Sequence, residues 1–179
     1  FTIPEVVYLS LDLPTSYTLE PNVKFEWSVV SGEDNISITD NVAEITPGAG
    51  DSTIVIRLTL SADEQKVTQD YTIMVNAAEL VGLDELADYT TENVMIEGRV
   101  IAKGFAQTQY RVSMLITDGT NNVAVDIDRN DIDYYNLGDT VRAVGTYTPA
   151  TGIFAAHFEA IDYLCSQPAE SGYSVDYSK

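Results

Sequence analysis

The chain has 179 residues, 45% of them apolar, and a formal net charge of −19 from nine Lys and Arg against 28 Asp and Glu. That length suits one large domain or two small ones of roughly 80–100 residues, each able to bury a core without disulfide staples. The apolar content excludes wholesale disorder, no run approaches the ~20 apolar residues of a membrane helix, and the acidic field repels phosphate backbones.

Residues 1–77 hold 3 basic and 12 acidic side chains, and residues 80–164 hold 5 and 13, so both halves share the acidic balance. It reads as a well-solvated surface. The single cysteine, Cys165, excludes an intramolecular disulfide. Its neighbourhood, Asp162-Tyr163-Leu164, supplies no cation to activate a thiolate, so it reads as structural or incidental. The chain opens on Phe1 rather than Met, which we read as a fragment or a processed chain.

Taken in order, Val6 to Leu13 is β-branched and aromatic and ends at Pro14, a strand and a turn. Val23, Phe25, Trp27 and Val29 alternate with Lys24, Glu26 and Ser28, which predicts a strand with one buried face. Ser31–Asn35 is a turn, Ile36–Ile38 a short strand, and Asp40-Asn41 turns into Val42–Ile45. Pro47-Gly48-Ala49-Gly50-Asp51 breaks the chain. Thr53–Leu60 and Val67–Val75 are the next strands. Six or seven short strands with frequent turn signals predict a β-sandwich over residues 1–77.

Asn76–Glu79 reads as a junction. Leu80, Val81, Leu83, Leu86 and Ala87 are spaced for a helix over 80–89. The pattern is β again from Val94, with Gly98 inside the run, a sign of a bend or bulge. Tyr110–Asp118 places Val112, Met114 and Ile116 inward, Asp118-Gly119-Thr120-Asn121 turns a hairpin, and Asn122–Asp128 places Val123, Val125 and Ile127 inward. Asp131–Asn136 is a connection with a helical turn. Thr140–Tyr147 and Ile153–Leu164 complete a second β module over 80–165, and residues 166–179 read as a tail or linker.

Two resemblances follow. Phe25-Glu26-Trp27-Ser28, Ile36-Ser37-Ile38, Pro47-Gly48-Ala49-Gly50-Asp51-Ser52-Thr53, Ile56-Arg57-Leu58-Thr59-Leu60 and Tyr71-Thr72-Ile73-Met74-Val75 resemble the bacterial Ig-like modules called atrophied Ig domains. That likeness implies a spacer without catalytic residues, with Trp27 in the core. Ile96-Glu97-Gly98-Arg99-Val100, Leu115-Ile116-Thr117-Asp118-Gly119-Thr120, Leu137-Gly138-Asp139-Thr140-Val141 and Val144-Gly145-Thr146-Tyr147 resemble the OB fold. The expected fold class is therefore all-β, an Ig-like β-sandwich followed by a five-stranded OB-fold barrel with one short helix.

The OB likeness implies a ligand face on the barrel's second and third strands with their flanking loops. Alternation places Arg111, Ser113 and Leu115 outward on one strand and Asn122, Ala124 and Asp126 outward on the next. Arg99 and Lys103 lie outward on the first strand, Phe105 and Tyr110 flank the first loop, and Tyr147 precedes the last. A single-strand binder needs aromatics in a positive groove, and this face is mixed in charge. Ordinary solvent-facing strand residues are the bland alternative.

Other chemistry is not supported. Asp126–Asp133 alternates acidic or amide groups as calcium loops do, but Asp131 and Leu137 stand where an EF-hand needs Gly and Glu. His157 is the only histidine, so no His/Cys metal site assembles, and no nucleophile elbow, P-loop or dinucleotide fingerprint is present. We expect no enzyme, metal or cofactor. The expected function is a spacer and docking region of a bacterial secreted or cell-surface protein, similar to accessory regions of secreted nucleases, phosphatases and surface lipoproteins. Its partner is expected to be a protein or an oligosaccharide rather than nucleic acid. Two alternatives stand: a subunit of an extracellular assembly joined by strand exchange through residues 1–13, and an oligosaccharide- or single-stranded nucleic-acid-binding OB protein.

Overall fold

The computed structural model describes residues 3–16, 22–90, 92–106 and 108–166, without the side chains of residues 105, 106, 158, 159, 165 and 166. The chain is all-β, with two small sheets followed by a closed five-stranded barrel. It divides into two compact units. One runs up to Leu80 and includes Glu92–Met95; the other holds residues 81–91 and everything from Ile96 onward.

The first unit contains β1 (Ser10–Asp12), β2 (Lys24–Ser31), β3 (Ile36–Thr39), β4 (Val42–Ile45), β5 (Ser52–Ala62) and β6 (Gln65–Val75). One sheet has the order β1-β4-β3 and the other β2-β5-β6. Both sheets contribute to a single core. Ile36, Ala43 and Ile45 come from the first, and Trp27, Ile54, Ile56, Leu58, Ile73 and Val75 from the second. This is the two-layer arrangement expected when alternating strands each bury one face. The Asp40-Asn41 turn joining β3 to β4 has positive φ at both residues (49° and 65°), the geometry that tight hairpins need and that Asp and Asn tolerate. Trp27 packs in the core, donates from Nε1 to the Pro14 carbonyl at 2.8 Å, and lies 5.7 Å from the Tyr71 ring.

The N-terminal strand is shorter than the Val6–Leu13 run predicts. Only Ser10–Asp12 is laddered, against β4, and Val6 makes one parallel bridge to Met74. Ile3, Val7, Leu9 and Leu13 are all buried. Burial, rather than a continuous ladder, anchors this segment.

The expected helix over 80–89 is a single 3-10 turn, Leu86–Asp88. It follows a two-residue strand, β7 (Glu79–Leu80), parallel to Val94 and Met95. Its hydrogen bonds run from residue i to i−3, with the Glu85, Asp88 and Tyr89 amides donating to the Gly82, Glu85 and Leu86 carbonyls. Leu83 and Leu86 are buried, and a three-residue spacing satisfies them as well as a helical one. A ten-residue segment containing Gly82 and no side-chain cap lacks the length to repay helix nucleation.

The barrel comprises β8 (Val94–Ala106), β9 (Arg111–Thr117), β10 (Asn122–Asp128), β11 (Asp139–Thr148) and β12 (Ile153–Ser166). Its order is β8-β9-β10-β12-β11, closed by β11 against β8, with β10 and β12 parallel and the β8–β9, β9–β10 and β11–β12 pairs antiparallel. Val112, Met114, Ile116, Val123, Val125 and Ile127 fill the interior with Ile96, Val100, Val141 and Phe154. Another 3-10 turn, Ile132–Tyr134, bridges β10 and β11. The register slips twice along β8, after Val100 and after Lys103. Gly98 lies ahead of both slips and serves another purpose, since a Cβ there would fall 3.0 Å from Ile116. Gly145 sits at a slip in β11, where any Cβ would collide with the Ala155 carbonyl.

Candidate functional site

The outer face of β8, β9, β10 and β12 is organised in transverse rows set by strand register. One row is Ala102, Leu115, Ala124 and Ile153; the next is Phe105, Ser113, Asp126 and Ala155. Leu115, Ala124, Ile153 and Ala155 are half-buried, so the middle of the face is apolar and partly sheltered. Asn122 is exposed at one end, and Arg99 is half-buried opposite Thr117. At the other end Tyr110 is 69% exposed just before β9. Tyr147 is half-buried and opposes Phe154. The Phe105 side chain lies outside the described residues.

Ser113 departs from the outward, solvent-facing position that alternation assigns to it, being only 1% exposed. Its side chain is short, and the longer Asp126 side chain stands directly opposite it on β10. Ser113 Oγ and the neighbouring Asp126 Oδ1 are both buried without a hydrogen-bond partner among the described residues. Such groups carry a desolvation penalty.

Four cations of this module are engaged internally. Arg111 Nε donates to Asp126 Oδ2 at 3.2 Å, while its terminal nitrogen donates to the Asp126 carbonyl at 2.6 Å and to the Ala156 carbonyl at 3.0 Å. The guanidinium thus reaches from β9 across β10 to β12. Lys103 Nζ donates to the Ile132 and Tyr135 carbonyls at 3.2 and 2.6 Å, closing the end of the 3-10 turn, an arrangement that suits a cation at a helical C-terminus. Arg142 donates to Glu97 through two nitrogens, and Arg129 to the Thr108 carbonyl at 2.9 Å. Of the five basic residues between 80 and 164, four therefore have internal acceptors. Nothing in the sequence pattern marks these pairings, because each joins residues 15 to 45 positions apart in the chain.

A second group of titratable residues lies beside this face. Asp128, Asp131, Tyr135 and His157 line a cavity of about 30 Å³ with Ile127, Ala160 and Ile161, roughly one water's worth of space. Burial pushes the Tyr135 phenol up to about 12, helped by the charges of Asp131 and Asp162, and its hydroxyl donates to the Ile161 carbonyl at 3.0 Å. Burial, then the charge of Asp128, raises the Asp131 carboxyl, and burial lowers His157. Among the described residues no group of three or more His, Cys, Asp or Glu side chains is arranged to hold a metal. The Asp126–Asp133 run ends β10 and leads into the 3-10 turn.

Compared with known proteins, the chain matches no family model and no curated protein. Among the described residues no helix is long and apolar enough to cross a membrane.

Proposed function

We propose that this chain is a non-catalytic spacer and docking region of a bacterial secreted or cell-surface protein. The first unit is the Ig-like spacer, and the OB-like barrel is the docking module. The carrying observation is the internal engagement of Lys103, Arg111, Arg129 and Arg142. Phosphate recognition needs cations that can exchange counterions for backbone phosphates. A half-apolar face around Leu115, Ala124 and Ile153, in a module with a net charge of −8 over residues 80–164, suits a protein segment or a neutral oligosaccharide instead.

The test is fluorescence anisotropy with labelled single-stranded oligonucleotides at about 50 mM salt, where nucleic-acid binding is strongest. No binding is expected. Binding that weakens with added salt would overturn the reading in favour of a nucleic-acid-binding OB protein. In parallel, amide shifts of the 15N-labelled chain titrated with neutral oligosaccharides or with proteins of the same cell surface should concentrate on Leu115, Ala124 and Asp126.

A second reading, an assembly subunit joined by strand exchange, is favoured by one observation. The N-terminal segment supplies four core residues, Ile3, Val7, Leu9 and Leu13, through a short ladder with β4. An element held mainly by side chains can be donated to another copy at low cost. Oligomers that vanish on removal of residues 1–13 would support it, and a monomer unaffected by that removal would sink it.

A further inference from the structure

Among the described residues, the first unit leaves the β6 edge of its β2-β5-β6 sheet open. Met74 on β6 donates its amide to the Glu5 carbonyl at 2.8 Å and accepts from the Val7 amide, so its backbone groups face away from β5. Backbone groups alternate sides along an antiparallel strand, so those of Lys66, Thr68, Asp70 and Thr72 face the same outer edge. The Asp70 carbonyl agrees, accepting from the Gln69 side-chain amide at 2.8 Å. Among the described residues, β6 pairs only with β5 and with Val6 at Met74.

Exposed edges are normally blunted by proline, bulges or several charges. β2, the other edge of this sheet, has a bulge between Val29 and Ser31. β6 runs eleven residues against β5 without a register shift, contains no proline, and has one lysine, Lys66. On its inner face Val67, 66% exposed, borders a cavity of about 390 Å³ whose lining includes Phe25, Leu58, Leu60 and Tyr71 of the sheet and Pro14 and Ser16 of the N-terminal segment. An open edge beside an apolar trough is a receptor for strand addition.

We propose that this receptor is filled by β6 of a second copy of the chain, antiparallel and centred on Thr68. The strand is self-complementary in that register. Lys66 of one copy stands opposite Asp70 of the other, whose carboxylate also accepts two bonds from Arg57 of its own chain, and Thr68 stands opposite Thr68. The three outward-facing pairs exchange about six main-chain hydrogen bonds. Val67 and Gln69 of the two copies lie opposite each other, so the apolar troughs join and Val67 is covered. A register centred one residue later would lose the Lys66–Asp70 match and drive the turn after Ala62 towards the Glu5–Val7 segment. Like-for-like pairing across a two-fold axis also closes the assembly at two copies. This interface lies in the first unit and is independent of the docking face on the barrel.

Sedimentation velocity of the full chain, from micromolar to millimolar in about 0.15 M salt to screen the net charge, is expected to show a reversible dimer. Its dissociation constant should be on the order of 0.1 mM, as befits a small interface. Thr68→Pro removes an outward amide and leaves the bonds to β5 in place. It should weaken the dimer at least tenfold with an unchanged far-UV spectrum. Lys66→Glu and Asp70→Lys should each weaken self-association several-fold, and mixing the two variants should restore pairing, because the unlike chains match at both positions. A chain that stays monomeric at millimolar concentration overturns the proposal, as does a dimer indifferent to Thr68→Pro. Should Thr68→Pro unfold the chain, the mixing experiment decides: no restoration on mixing overturns the proposal.

Discussion

The two units solve the same problem differently. The barrel closes β11 onto β8, so none of its five strands is left as an edge. The first unit stacks two open three-stranded sheets and, among the described residues, leaves β6 available. Their ion pairs differ in the same sense. Arg57 and Asp70, on neighbouring strands of the open sheet, meet in a doubly bonded pair at 2.6 and 2.8 Å with both side chains over 40% exposed. Arg111 and Asp126 in the barrel are more sheltered and share in bonds to two backbone carbonyls. The barrel pair is thus sheltered and tied to the backbone of β10 and β12, while the pair on the open sheet stays in solvent. What the barrel gains in internal satisfaction it loses as a cationic binding surface.

That contrast can be broken at its strictest point first. Gly145→Val places a side chain against the Ala155 backbone where β11 crosses β12. It should destabilise the barrel by about 3 kcal/mol or more, at the upper end of overpacking effects, read as a shift of the denaturant midpoint. A tolerated valine would mean that the closure is looser than the register implies. In the open unit, Leu9→Ala should cost about 3 kcal/mol, because Leu9 is fully buried although it lies outside any ladder. A loss below ~1 kcal/mol would show that the N-terminal segment is dispensable to the sandwich.

The ion pairs sharpen the comparison at smaller amplitude. Arg111→Ala strips Asp126 of its cation and frees two carbonyl acceptors, for an expected loss of about 2 kcal/mol by chemical denaturation. Arg57→Ala removes a pair open to solvent and salt and should shift the midpoint distinctly less. Equal losses would remove the distinction drawn between the two sheets.

The smallest expected effects are those of pH, and they belong to the barrel's small cavity. Burial lowers His157, so the unfolded chain takes up this proton first. Stability from this group is present above the ordinary value of 6.5 and declines as pH falls through 6.5 towards the lower folded value. Asp131 works the other way. Its folded carboxyl is raised, so the folded chain is protonated first and its penalty is relieved as pH falls towards 3.8. Tyr135, held up to about 12, disfavours the folded state as pH rises from 10 towards 12. Denaturant midpoints at pH 7 and 5.5 should fall less on acidification for His157→Gln than for the parent chain. An unchanged slope would contradict the burial of that ring.

Much of this was legible in short segments bounded by turn signals, most clearly where apolar and polar residues alternate. Val42–Ile45 and Asn122–Asp128 are strands over the residues their patterns predict, and Val112, Met114 and Ile116 point inward as their spacing requires. Alternation is a local property of a pleated strand, so it survives in one dimension. The 80–89 segment misled because apolar residues three apart satisfy a 3-10 turn as readily as a helix. The candidate face was legible as a set of positions but not as a chemistry. Ser113 is buried although alternation points it outward, and Arg111 and Lys103 are engaged by acceptors that only register brings near.

By itself the sequence determined the all-β class, most strand positions, the inward sets and the acidic surface, since each follows from local spacing or from simple composition. The tertiary structure alone decided which cations remain available, which strand is left as an edge, and where the N-terminal segment is anchored. Those outcomes depend on which strands become neighbours and in what register, and residues tens of positions apart carry no mark of that in their local pattern.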